Sequence, residues 1–435
     1  MPDEKLPLTL HPGSGLAQIG PQGDRIVSEM MSEALALLRA TTPAPGTLAI
    51  SPPGEMVSRF KIGGHLFCEP DYQQILLWAK ALALEPETVV ERLLREPDGV
   101  SDRKHQTQIV NGRLIALGWH IDLLPLETFE CVSQLVIESI VFFVPHGRDK
   151  PIDGSLRLSL PRLRHLNCRG VGFSKLALSA GLRLTELICS WNQFTELDLS
   201  AAPNLTTLMC ENNELTELDV SDVPLLTALS CNANHLAKLD LSGVPLLTQL
   251  SCEGNQLKEV NLTKVSKLTS LSCCANSIAK LDLSGVPLLT DLSCDFNEIT
   301  DLDLSATSLL TRLSCGCCNL TELNLSAVPM LTRLWCPTNE LTELDLSEVP
   351  RLRELSCGSN QLTELKLTSV PLLTNLSCDD NQLKTLELSA VPLLTTLDCE
   401  NNQLGKLDIR PLKHLKDFRF DAETTSLIER PDQTF

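Results

Sequence analysis

Cysteine is the residue type in this chain whose number and spacing most directly suggest chemistry, because 17 cysteines occur in 435 residues. Thiolates bind soft metal ions and take part in disulfide exchange. A metal site needs ligands that converge on one point, yet twelve of these cysteines form a regular series. They recur every 21 residues, at Cys168, Cys189, Cys210, Cys231, Cys252, Cys273, Cys294, Cys315, Cys336, Cys357, Cys378 and Cys399. Because a buried free cysteine behaves as a small hydrophobe, the series is predicted to pack in a core. Metal binding or thiol-redox chemistry is the minor alternative.

Three further cysteines disturb this series, at Cys274, Cys317 and Cys318. Cys318 takes a position that asparagine holds in most units, where a thiol is a poor substitute for an amide. A thiolate–metal site formed by Cys315, Cys317 and Cys318 needs a fourth ligand, from Cys294 or Cys336 of the adjacent units. Drift in one of many repeats is the favoured interpretation.

The remaining candidates for chemistry are weaker. His65 and Cys68, with His120 and Cys131 further along, have the residue types of a zinc site but no recognised zinc spacing. A P-loop, a G-x-S-x-G motif and a Rossmann glycine run are all absent from the sequence. We therefore predict that the protein is not an enzyme, with no catalytic residues, no bound metal and no cofactor.

The cysteine series is part of a longer repeat that positions every thiol. Each unit reads L-x-x-L-x-C-x-x-N-x-L-x-x-L-x-L-S-x-x-P-x, with few departures. A fixed period of this length indicates a solenoid, because one unit cannot bury its own apolar face and must stack on its neighbours. The pattern resembles the leucine-rich repeat family, with cysteine in the third apolar place. It is most similar to the short, nested bacterial class, in which L-x-x-L-D-L-S repeats the motif of the first half.

Side-chain alternation predicts how one turn is built. In the segment 208–210 the first and third side chains share a face and point into the core. The segment 218–220 repeats this pattern, which predicts two short strands per turn, parallel β structure and little helix. Asn213 is expected at the corner between them, where its amide satisfies unpaired backbone groups and stacks into a ladder. Pro224 marks the opposite corner.

An aspartate recurs at one phase of the second segment, at Asp198, Asp219, Asp240, Asp282, Asp303, Asp345 and Asp408. Like charges one strand apart repel, so a row of bound cations is one interpretation. The favoured one is that each carboxylate accepts a hydrogen bond from nearby backbone and faces water.

The outward positions of the first strand are expected to line one long face. The residue before cysteine is serine in most units but Ile188, Met209 or Trp335 in three of them. Tryptophan and arginine on a small, polar sheet are typical of binding hot spots, whereas scattered exposed aromatic residues need no explanation. The predicted partner-binding residues are Trp335, Arg333, Arg312, Phe296, Pro337, Met209 and Trp191.

Composition changes along the chain predict five regions. They are a flexible tail at 1–20, a helical N-terminal cap region at 21–107, irregular first repeats at 108–167, regular 21-residue repeats at 168–409 and a C-terminal cap at 410–435. Within the cap region we expect a helix from Asp24 to Ala40, a hairpin from Arg59 to Cys68, and two short helices opening at Pro70 and Pro86. The spacing of the two helices resembles that of a helix-turn-helix motif, but the second helix is too acidic to bind in a DNA groove.

The net charge of the chain limits the kinds of partner that we expect. A formal net charge of −19 argues against nucleic acid or an anionic membrane surface as the main partner. The first residues lack the pattern of a signal peptide, and unpaired thiols fit a reducing compartment, so we expect a cytoplasmic protein. The resemblance implies a protein–protein interaction module that presents its sheet face to a protein partner. A structural or self-assembling component is the alternative.

Overall fold

The computed structural model describes residues 59–95, 106–111, 113–120, 135–143, 154–179 and 181–431. These residues belong to one unit, Ser58–Phe435. The predicted tail at 1–20 and the predicted helix from Asp24 to Ala40 lie outside the described residues. None of the described helices is long and apolar enough to cross a bilayer.

A hairpin and two helices form the start of the described chain, as the sequence predicted. Strands β1 (Arg59–Ile62) and β2 (His65–Cys68) pair antiparallel around Gly63 and Gly64, whose φ angles of 55° and 86° suit glycine. Helices α1 (Glu69–Leu82) and α2 (Pro86–Leu94) follow, each with proline in its first turn.

The helix pair packs on the sheet through buried aromatic and charged groups. The indole rings of Trp78 on α1 and Trp119 on the sheet meet edge to face, with centroids 5.1 Å apart. Asp71, fully buried in the first turn of α1, accepts a hydrogen bond from Leu114 N at 2.8 Å and pairs with Arg113 Nε at 2.6 Å. These contacts fix the helices over the first strands of the sheet.

One sheet of 16 strands runs through the described chain. Its neighbouring strands are parallel, except that the first two in the chain are antiparallel. Its strands are β3 (Gln108–Val110), β4 (Arg113–His120), β5 (Ser139–Phe143), β7 (His165–Asn167), β9 (Glu186–Ile188), β10 (Thr207–Met209), β11 (Ala228–Ser230), β12 (Gln249–Ser251), β13 (Ser270–Ser272), β14 (Asp291–Ser293), β15 (Arg312–Ser314), β16 (Arg333–Trp335), β17 (Glu354–Ser356), β18 (Asn375–Ser377), β19 (Thr396–Asp398) and β21 (Asp417–Arg419). Each residue pairs with the equivalent residue of the adjacent repeats, as Leu208 pairs with Leu187 on one side and Leu229 on the other.

The cysteine series faces the core, which confirms the packing prediction. All twelve side chains are at most 1% exposed, and they lie between buried leucines of the same turns. All sixteen cysteines of the described residues are free thiols. Burial raises the pKa of Cys168 and of Cys336 to about 12, because a thiolate is poorly solvated there.

We therefore expect the twelve core thiols to resist alkylation until the solenoid unfolds, since the thiolate is the reacting form. Iodoacetamide labelling followed by peptide mass spectrometry, with and without urea, measures this. Among the described cysteines, the half-exposed Cys317 is expected to react first in the native protein. Rapid native labelling of Cys252 or Cys336 would contradict the inward placement.

The asparagine ladder is also confirmed. The Asn213 amide donates from Nδ2 to Cys189 O at 3.1 Å and to Cys210 O at 3.0 Å. Its Oδ1 accepts from Phe194 N in the preceding turn at 3.1 Å. The equivalent asparagines repeat this pattern, so each amide joins two turns. At Cys318 the ladder is interrupted, and the thiol instead donates to Cys294 O at 3.4 Å.

The residue before each ladder position, including the one that Cys318 occupies, has a left-handed backbone. Its N–H donates to the next turn, as in the bond from Asn212 N to Asn232 O at 2.9 Å. The fold thus imposes a positive φ of 49–61° at Trp191, Asn212, Ala233, Gly254, Ala275, Phe296, Cys317, Thr338, Ser359, Asp380 and Asn401. Glycine and asparagine tolerate this conformation, whereas bulky and β-branched side chains are strained in it.

The second strand of each turn forms only near the two ends of the described array, so the prediction of two strands per turn was wrong for the turns between. The second-segment strands are β6 (Ser155–Leu158) paired with β8 (Lys175–Leu178), and β20 (Lys406–Asp408) paired with β22 (Ser426–Ile428). In the turns between, for example, the Ser221 N–H donates to Asp219 Oδ1 at 2.9 Å, so it is not available to pair with a neighbouring turn.

This local bond recurs down the aspartate series. Asp198, Asp240 and Asp303 each accept a hydrogen bond at Oδ1 from the backbone N–H two residues later, at 2.8–2.9 Å. The hydrogen bonds from Ser221 lower the pKa of Asp219 in the same way. The interpretation of these aspartates as backbone acceptors is confirmed.

Candidate binding face

The outward side chains of the 16-stranded sheet form a continuous surface, which we call the first-strand face. In each regular turn it consists of four positions: three and one residues before the core cysteine, and one and two residues after it. Because equivalent positions in neighbouring strands are about 4.8 Å apart, each position forms a column along the stack.

The structure brings Arg312, Arg333 and Trp335 together, as their spacing predicted. Arg312 pairs with Arg333 in register, and Trp335 lies in the next column. The guanidinium carbon of Arg333 is 6.0 Å from the centroid of the Trp335 ring, within reach of a cation–π contact. Both arginines also form ion pairs within their column, Arg312 with Asp291 and Arg333 with Glu354 at 3.3 Å. Their charges are therefore partly compensated before any partner arrives.

Phe296 and Pro337 occupy different positions relative to this cluster. Pro337 fits beside Gly316, where an added Cβ would lie 2.9 Å from the proline Cδ. Phe296 is 56% exposed and lies two turns from Trp335, about 10 Å along the stack.

Trp191 and Met209 lie in another part of the face. They belong to adjacent turns, and Trp191 N donates to the backbone oxygen of Glu211 at 2.8 Å. Six turns separate Cys189 from Cys315, or about 29 Å along the stack. The seven predicted residues therefore form two patches rather than one.

A second hydrogen-bond ladder lies on this face, and the sequence reasoning missed it. In three turns the residue after cysteine accepts a hydrogen bond from the serine 19 residues later, and two of these bonds are Ser251 Oγ to Asn232 Oδ1 at 2.8 Å and Ser314 Oγ to Asp295 Oδ1 at 2.8 Å. Ser272 and Glu253 make the equivalent bond. The available signal was the recurrence of serine before cysteine together with Asn, Glu or Asp after it.

Glu211 departs from this ladder. It is 6% exposed, and one carboxylate oxygen accepts a hydrogen bond from Ser190 Oγ. The other oxygen, Oε1, is buried and has no hydrogen-bond partner among the described residues. Burying a carboxylate oxygen without a partner is costly. Burial also raises the pKa of Glu253 and of Asp295, which lie two and four turns further on.

The metal candidates do not assemble in the described residues, where no group of three or more His, Cys, Asp or Glu is placed to hold an ion. Cys318 lies against Cys294, whose thiol hydrogen bond lowers the pKa of Cys318. Cys68 Sγ is 3.6 Å from Asn111 O. The side chain of His120 and the whole of Cys131 lie outside the described part of the chain.

The fold and the repeat define the class: the chain folds as a leucine-rich repeat solenoid with short turns and a cysteine in the third apolar place. It is similar to the functional domain of InlJ from Listeria monocytogenes, a structure that includes a cysteine ladder, with 38% identity, a TM-score of 0.52 and 57% of this chain covered. This chain spans 59% of that domain's length. An internalin, inlF from Listeria monocytogenes, matches with 26% identity over 62% of this chain and 85% of its own, with a TM-score of 0.55.

A third structure supports the fold alone. The leucine-rich repeat protein LIC12759 from Leptospira interrogans shares 20% identity over 78% of this chain and 89% of its own, with a TM-score of 0.64. No protein-family model and no curated protein matches the sequence.

Proposed function

We propose that this protein is a non-enzymatic binding module that presents its first-strand face to a protein partner. Solenoids offer such extended surfaces, and the similarity to two internalin structures supports an interaction role. The observation that carries the proposal is Trp335. The two neighbouring strands have serine at the equivalent position, Ser314 on one side and Ser356 on the other. Trp335 instead adds a large, half-buried ring to the surface. Arg333 supports that ring from the next column. With sixteen free thiols in the described chain, we propose a reducing, cytoplasmic setting.

The test is affinity capture from an extract of the native host with the wild-type chain and the variant Trp335→Ser. Serine at this position matches the neighbouring turns, so the substitution leaves no cavity. Recovery of the partner is expected to fall about tenfold or more. The control variant Lys366→Ala alters an exposed side chain of the second segment and is expected to change nothing. Equal recovery with Trp335→Ser would refute this anchor, and a mass that rises with concentration in light scattering would favour the self-assembling alternative.

A further inference from the structure

From β9 to β14 the first-strand face carries carboxylates in four of its six turns and no basic side chain. The segments 186–191, 207–212, 228–233, 249–254, 270–275 and 291–296 contain no Lys, Arg or His. They contain the carboxylates of Glu186, Glu211, Glu253, Asp291 and Asp295. We call this part of the face the acidic segment.

Two of these carboxylates already have nitrogen partners from outside the segment. His165 Nδ1 lies 3.0 Å from Glu186 Oε2, and Arg312 pairs with Asp291. The other three, Glu211, Glu253 and Asp295, are bonded to hydroxyl, thiol or backbone donors. They lie in one column, and no cation among the described residues pairs with them.

The spacing of these three carboxylates is regular. Glu211, Glu253 and Asp295 each hold the position after the core cysteine, and successive members are two turns apart. Two turns correspond to about 10 Å along the stack. A polyproline II helix advances about 9.3 Å in three residues and brings every third side chain to the same side. A ligand with a basic residue at every third position therefore matches this column.

Glu211 supplies independent evidence that this column takes a ligand. Its Oε1 is buried on an outward position of the sheet and has no hydrogen-bond partner within the described chain. A Lys ammonium or an Arg guanidinium of a ligand would give this oxygen a charge-assisted hydrogen bond. Because the side chain starts on the outward side of the strand, a change of rotamer presents this oxygen to a partner.

Exposed aromatic rings flank the column at both ends. Trp191 and Phe296 are 55% and 56% exposed, and both hold the left-handed position of their turn, with φ of 61° and 56°. The fold would accept glycine or asparagine more readily at this position. The two turns are five apart, about 24 Å along the stack. Aromatic rings at this position suit proline rings and the stems of basic side chains.

We propose that the acidic segment binds an extended, proline-rich segment of a partner protein that carries Lys or Arg at every third residue. The segment runs along the stack, across the strands, with its basic groups on Glu211, Glu253 and Asp295 and its ends on Trp191 and Phe296. This inference rests on the proposed function, because it names the partner of the same face, but it uses residues distinct from Trp335.

The experiment is a titration of the full chain with a fluorescein-labelled peptide of three Arg-Pro-Pro repeats, followed by fluorescence anisotropy. A peptide of the same composition with contiguous arginines serves as comparison. The spaced peptide is expected to bind about tenfold more tightly, which is about 1.4 kcal/mol. The double variant Glu211→Gln/Glu253→Gln is expected to lose about tenfold in affinity for it. Trp191→Asn, which suits the left-handed backbone, is expected to lose about threefold.

The matched control is the double variant Glu217→Gln/Glu259→Gln, which removes the same charge from the same two turns on exposed second-segment positions. It is expected to change the affinity less than twofold. Equal binding of both peptides, or equal losses in both double variants, would show only general attraction to an acidic protein and would overturn the inference. Failure of both peptides to bind, with Trp335→Ser still losing its partner, would overturn it and leave the proposed function standing.

Discussion

Replacing Asn234 with alanine is expected to lower the free energy of unfolding by about 3 kcal/mol. The Asn234 side chain is 4% exposed and accepts a hydrogen bond from Leu215 N at 3.1 Å. It also donates to Cys210 O and Cys231 O, both at 3.0 Å. Alanine leaves the Leu215 N–H buried without that acceptor, and each carbonyl keeps only the donor from a neighbouring asparagine. Urea denaturation measures the loss, and hydrogen exchange at the Leu215 amide locates it.

The chain contains its own control for this prediction. At Cys318 the ladder lacks its amide, so Cys318→Asn is expected to raise the free energy of unfolding by about 1 kcal/mol. The new side chain would reach Cys294 O and Cys315 O as its equivalents do in other turns. A destabilising Cys318→Asn, or a neutral Asn234→Ala, would show that the amide ladder does not hold the turns together.

Replacing Asp71 with alanine is expected to cost about 3–5 kcal/mol and to release the helix pair from the sheet. Asp71 is fully buried and joins α1 to the Arg113 guanidinium and the Leu114 N–H at the start of β4. Removal of one partner leaves the other polar groups with their desolvation cost uncompensated. Limited proteolysis is the measurement, with new cleavage expected within α1 while the regular turns stay protected.

The control is Glu69→Ala in the same turn of α1. Glu69 is exposed, so its loss removes only a favourable interaction with the helix dipole, about 0.5 kcal/mol. Asp71→Asn is expected to fall between the two, since its amide oxygen still accepts from Leu114 N. Intact helices in Asp71→Ala would show that the indole contact of Trp78 and Trp119 is sufficient to hold them.

The regular turns were largely predictable, because identical units must place identical residues in identical environments. The inward cysteines, the asparagine ladder and the backbone-bonded aspartates all followed from a 21-residue period and the alternation of strand side chains. The second strand did not follow. Alternation at 218–220 correctly predicts which side chains are buried, but it says nothing about whether the backbone N–H groups reach a neighbouring turn or a local carboxylate.

The candidate face was predictable only in part. The cluster of Arg312, Arg333 and Trp335 follows from the register of stacked units. The ion pairs to Asp291 and Glu354 required the side-chain positions, because adjacent residues in a column can pair, repel or turn to solvent. The left-handed backbone at Trp191 and Phe296 could not be predicted from residue type, since alanine, threonine and serine occupy the same position in other turns.

The sequence by itself determined the period and the inward and outward sides of each first strand, since both are properties of order along the chain. The tertiary structure alone decided that Glu211 is buried with an oxygen that lacks a partner among the described residues, that Trp191 and Phe296 have a left-handed backbone, and that Asp71 meets Arg113. Burial and pairing between distant residues depend on how neighbouring turns and the helix pair cover one another, and a one-dimensional pattern does not contain that packing.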